Sequence, residues 1–134
     1  MKKLLFSTCL FICTIAFSQE TVNSTAGILE FQSETIDYGT VNKNTDGNRT
    51  FTFKNTGDSP IIITSVKGSC GCTVATKPNK PIMPNETAVI GVKYDTKRVG
   101  PFSKTITVVS NASEKSKVLR IKGSITDTAQ LVSN

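Results

Sequence analysis

Residues 68–74 read Gly-Ser-Cys-Gly-Cys-Thr-Val and place two thiols, Cys70 and Cys72, one residue apart in a chain that has no histidine. Sulfur at this spacing supports a local disulfide, thiol exchange with another molecule, soft-metal binding, or an intermolecular disulfide. On an extended strand, positions i and i+2 lie about 6.5 to 7 Å apart at Cα, at the upper limit for a disulfide. The pair therefore closes on itself only if the backbone bends, and Gly71 is the residue expected to allow that bend. A bond closing so small a loop gains little from chain entropy, and the expectation is a readily exchanged disulfide rather than a strong staple.

A metal is constrained by what the chain lacks. Without histidine, zinc would need two further ligands from carboxylates or a second molecule. Copper(I) is soft, accepts two thiolates, and could add the thioether of Met83; Cys70 and Cys72 are thus the candidate metal ligands, with packing of Met83 beneath its own loop as the simpler expectation for that residue.

Other chemistry is excluded or weak. The missing histidine removes Ser-His-Asp and Cys-His machinery and the common His-ligated catalytic metals. Asp37, Asp58, Glu86 and Asp95 each stand beside turn residues or at the end of an apolar run, where capping explains them. No glycine-rich phosphate loop is present, and no catalytic residue or resident cofactor is expected. Asn23, Asn48, Asn85 and Asn111 open Asn-X-Ser/Thr triplets, which in an Asn- and Thr-rich sequence are expected by chance. Asp127-Thr128-Ala129 resembles an O-glycosylation acceptor of exported bacterial proteins, which makes Thr128 the candidate modification site.

The N-terminus carries Lys2 and Lys3, an apolar run from Leu4 to Phe17, and small residues at Ala16 and Ser18, the pattern of a cleaved secretory signal over residues 1–18. The apolar run is short for a membrane span, which needs about 20 residues. Cys9 and Cys13 within it lack the small preceding residues of a lipidated cysteine. A periplasmic or secreted location follows, together with an oxidising environment for Cys70 and Cys72. Export and the scattering of Lys and Arg among acids argue against a nucleic-acid partner, and the formal net charge of +6, which falls by two when Lys2 and Lys3 leave, reads as solubility.

Seven or so strands must position the thiol pair. Leu29 and Phe31, then Ile36 and Tyr38, open the pattern, and Arg49-Thr-Phe-Thr-Phe-Lys54 alternates strictly. Ile61 to Val66 leads into the thiol pair, Pro78, Pro81 and Pro84 mark a loop, and strands follow over 87–94, 101–110 and 117–125. Arg98-Val-Gly100 and Asn111-Ala-Ser-Glu114 are expected as hairpin turns. The rhythm predicts an all-β, immunoglobulin-like antiparallel β-sandwich over 27–125, after a flexible segment 19–26 and before a loose tail 126–134.

The chain is similar to a family of small exported bacterial domains of unknown function that carry a Ser-Cys-Gly-Cys-Thr segment and an immunoglobulin-like, Hydin-type sandwich. The resemblance rests on Ile36-Asp-Tyr-Gly39, Phe51 to Asp58, Ser69-Cys-Gly-Cys-Thr73, Pro81-Ile-Met-Pro84, Val92-Lys-Tyr-Asp95 and the segment from Gly100 to Asn111. It implies the fold and leaves the role open. The expectation is a non-catalytic binding or scaffolding module of the cell envelope, whose partner is another envelope protein or surface component. The alternative is a thiol-active or copper(I)-binding protein using Cys70 and Cys72.

Overall fold

The computed structural model describes residues 26–128. The signal segment, nearly all of segment 19–26 and the chain beyond 128 lie outside the described residues. Eight strands form: β1 (Leu29–Phe31), β2 (Thr35–Asn42), β3 (Asn48–Asn55), β4 (Ile63–Gly68), β5 (Thr73–Thr76), β6 (Thr87–Tyr94), β7 (Gly100–Ser110) and β8 (Ser116–Thr126). They make two four-stranded sheets, ordered β1-β3-β6-β5 and β2-β8-β7-β4, packed face to face as an immunoglobulin-like sandwich.

Alternation along each strand builds the core. Phe51 and Phe53 on β3, Ile90, Val92 and Tyr94 on β6, Ile106 and Val108 on β7, and Leu119, Ile121 and Ile125 on β8 are all buried between the sheets. Their neighbours one residue away face outward, as the two-residue period of a strand requires.

Three features depart from the sequence-based expectation. Strand β5 has no counterpart in it, because four residues with one buried, Thr73, are too few for a pattern. Strand β2 pairs with β8 in parallel, whereas the other strand pairs are antiparallel. No hairpin joins β2 to β8, so no local turn dictates their relative direction. Finally, Arg98-Val-Gly100 is a crossover and not a hairpin turn, since β6 and β7 belong to different sheets; Asn111 to Glu114 does join the hairpin of β7 and β8.

Strand β8 runs on to Thr126, where Asn42 pairs with it and the Thr126 carbonyl accepts the Lys43 N–H. Asp127 then meets Lys43 at 3.1 Å. Thr128 follows and is exposed.

Two buried constellations hold the ends of the sandwich. At one end the Asn55 side chain, fully buried, makes four hydrogen bonds: its Oδ1 accepts from the N–H groups of Ile28 and Gly57, and its Nδ2 donates to the carbonyls of Ser59 and Ile82. At the other end Tyr94 stacks on Phe102 with ring centroids 3.8 Å apart, and Tyr38 meets Phe102 edge-on at 5.3 Å. The Tyr38 hydroxyl donates to the Gly47 carbonyl at 2.8 Å, and the Arg49 guanidinium lies over the Tyr38 ring.

Burial raises the pKa of Tyr38 above the usual phenol value, outweighing the opposing pull of Arg49. The folded state thus holds this proton more tightly than the unfolded chain, so the contribution of Tyr38 to stability is constant below the unfolded phenol pKa of about 10 and falls as pH rises above it, as does that of Tyr94, which burial also raises. Tyr38→Phe should lessen that alkaline decline while costing about 1 kcal/mol at neutral pH for the lost bond to Gly47. Urea denaturation at a series of pH values checks both, and an unchanged alkaline slope would refute the assignment to Tyr38.

Candidate functional site

The thiol pair forms the corner where the chain passes from one sheet to the other. Ser69 anchors the entry, with its N–H donating to the Thr105 carbonyl on β7 and its hydroxyl accepting from the Thr105 N–H. At the exit the Cys72 carbonyl accepts the Asp95 N–H just past β6. Across the corner the Thr73 N–H donates to the Cys70 carbonyl at 3.2 Å.

Cys70 and Cys72 are joined in a disulfide, with Cα atoms 5.3 Å apart, well short of the extended i, i+2 spacing. The bend that shortens this distance sits at Gly71 but does not need a glycine there. Gly71 is not among the residues at positive φ, and a Cβ added to it would meet nothing within 4 Å. The glycine the corner does need is Gly68, where a Cβ would stand 2.7 Å from the Thr73 carbonyl oxygen. Close approach of β4 to β5 therefore sets the corner.

The two sulfurs have unlike surroundings. Cys72 is 5% exposed and belongs to the core, whereas Cys70 is half-buried at its margin. The Thr73 hydroxyl lies 3.9 Å from each. Beside them is a hollow of about 400 Å³ lined by Gly71, Cys72, Val74, Lys93, Asp95 and Lys97.

Met83 does not join this site. Its loop is tied to the opposite end, through the Ile61–Ile82 bridge and the bonds between Asn55 and Asn85–Glu86, and the whole of β6, about 25 Å long, separates the two. Nor does Met83 pack beneath its loop, because 52% of it is exposed; Ile82, at 2%, takes the buried place. Among the described residues no three or more Cys, Asp or Glu converge, so copper(I) at the reduced pair would be held by two sulfurs alone. Asp37, Glu86 and Asp95 serve turns: Asp37 accepts from the Gly39 N–H, Asp95 from the Lys97 N–H and Glu86 from the Met83 N–H.

A second surface was not legible in the sequence. On the outer face of the first sheet, Gly91 leaves a trough between β3 and β5, about 570 Å³ in one part and about 250 Å³ in the next, which share Thr50, Thr76 and Gly91. Val89 and Val74 border it, 49% and 61% exposed. Lys77 and Lys93 line it and no carboxylate does, while the Arg49 guanidinium is turned away to the Tyr38 ring. Among the described residues no helix is long and apolar enough to cross a membrane.

Comparison with curated proteins gives no match. Among solved structures, a protein of unknown function from Porphyromonas gingivalis W83 aligns with a TM-score of 0.66 at 16% identity, over 75% of this chain and 48% of that one. The VesB protease of Vibrio cholerae gives 0.58 at 12%, over 72% of this chain and 31% of that one. The ASH/PapD-like domain 7 of human CEP192 gives 0.58 at 9%, over 76% and 87%. The chain thus spans half or less of the first two, and at these identities the likeness is one of fold alone. The family model described as protein of unknown function (DUF1573) matches residues 29–125, from the first residue of β1 into the end of β8, and the chain belongs to that family.

Proposed function

We propose that this domain is a non-catalytic binding module, exported to the periplasm or beyond, that holds an extended segment of another envelope protein across the outer face of β5 and β6. The trough at Gly91 carries the reading. It offers aliphatic surface at Val74 and Val89, with Lys77 and Lys93 around it and no carboxylate. An extended chain with aliphatic and acidic side chains complements that surface. Export rests on the N-terminal Lys2-Lys3 and apolar run. The lack of histidine and the use of Asp37, Glu86 and Asp95 in turns support a role without catalysis.

A photo-cross-linking amino acid placed at Val74 or Val89 in the exporting cell should give a discrete adduct, and the same group at Val118, exposed on β8 of the other sheet, should give none. Equal labelling from Val118, or no adduct from either trough position, would overturn the reading.

A further inference from the structure

We propose that Cys70–Cys72 is a thiol–disulfide exchange site, entered over Gly71, at which Cys70 is the attacked sulfur and Cys72 the leaving one. This activity does not depend on the trough, although the two surfaces meet at Val74 and Lys93.

Three observations converge. Gly71 is fully open, with room for a side chain and no positive φ to forbid one. Glycine there serves no packing purpose, and its effect is to leave the disulfide uncovered. The burial is asymmetric, Cys70 partly exposed at the core's margin and Cys72 in the core, so an incoming thiolate reaches Cys70 first. The surroundings of Cys72 favour negative charge: Lys93 and Lys97 line the hollow that it borders and Cys70 does not, while the Thr73 hydroxyl, 3.9 Å from both sulfurs, can serve either. The one carboxylate in that hollow, Asp95, is 3.6 Å from the Arg98 guanidinium and accepts the Lys97 N–H, so the cations prevail.

The reactant implied is a protein dithiol in an oxidising compartment. Its thiolate attacks Cys70 Sγ, the Cys70–Cys72 bond breaks, and Cys72 departs as thiolate while a mixed disulfide forms at Cys70. The second thiolate of the partner then attacks its own sulfur in that mixed disulfide and releases Cys70. The partner leaves as a disulfide, oxidised by two electrons, and Cys70 and Cys72 are reduced by two electrons and take up two protons. Run backward, the same steps oxidise the pair.

The test uses reduced glutathione as the thiol, on the folded protein, with acid quench, alkylation and mass mapping. Glutathione should be found on Cys70, at least tenfold over Cys72. Gly71→Val should slow reduction at least severalfold with an unchanged melting temperature, because its side chain enters open space. Glutathione on Cys72, an equal rate in Gly71→Val, or reduction that occurs only when denaturant unfolds the chain would each overturn the proposal. Cross-linking from Val89, which lines the trough and not the hollow at Cys72, is read independently, so loss of either result leaves the other standing.

Discussion

Asn55→Ala is expected to lower stability by about 3 to 5 kcal/mol, the largest effect of any single polar truncation in this domain. The substitution leaves the N–H groups of Ile28 and Gly57 and the carbonyls of Ser59 and Ile82 without their side-chain partner. A buried polar group that loses a bond costs about 1 to 3 kcal/mol, and the four do not add, because the Ile82 carbonyl still accepts the Ile61 N–H and the other segments can relax toward water. In a domain of this size the loss corresponds to a melting temperature lower by about 15 to 25 °C. Asn55→Asp supplies the discriminating control. It keeps both acceptor bonds but turns the two donors into an oxygen facing the Ser59 and Ile82 carbonyls. The buried carboxylate then holds its proton more tightly in the folded state than in the unfolded one. Its penalty is therefore full at neutral pH and is relieved as pH falls toward the unfolded carboxylate value of about 4. Urea unfolding at two pH values measures both variants, and a loss under about 1 kcal/mol for Asn55→Ala would show that the four bonds do not hold this end together.

Phe102→Ala should cost about 3 to 5 kcal/mol at the opposite end of the sandwich. Phe102 lies on β7, its stacking partner Tyr94 on β6 and its edge-on partner Tyr38 on β2, so one ring joins both sheets. Removal leaves a cavity between layers that cannot close without moving a strand, and it breaks two aromatic contacts worth about 0.5 to 1.5 kcal/mol each beyond area. Phe102→Leu fills most of the space and should cost under about 2 kcal/mol. The near-ultraviolet circular dichroism of Tyr38 and Tyr94 should weaken in the alanine variant before any loss of strand signal. If the two variants prove equally stable, the stack is not a source of inter-sheet cohesion.

The two ends also explain how the corner at Cys70–Cys72 is held. Thr73 pairs with Tyr94 in the β5–β6 ladder, and the Asp95 N–H donates the next backbone bond to the Cys72 carbonyl. The aromatic layer thus lies behind the disulfide, and the open side is the one facing Gly71.

The alternation of Phe51 and Phe53, of Ile90, Val92 and Tyr94, and of Leu119, Ile121 and Ile125 determined by itself which faces are buried and that the fold is a β-sandwich. A two-residue period has one structural consequence, and it is local. The Cys70-Gly-Cys72 spacing likewise marked the chemically distinctive point and required a bend there. Sheet membership was decided only in three dimensions. Strand β2 lies parallel to β8, and the chain crosses sheets between β6 and β7, because pairing is settled by which apolar faces meet, between residues far apart in the chain. Asn55 reads as turn punctuation before Thr-Gly-Asp, yet its partners at Ile28 and Ile82 make it the best-connected buried side chain of its end. Met83 stands near Cys72 in sequence and a full strand length away in space, since the loop carrying it is fixed by Ile82. The trough at Gly91 exists only because β5, too short to leave a pattern, docks beside a residue with no side chain.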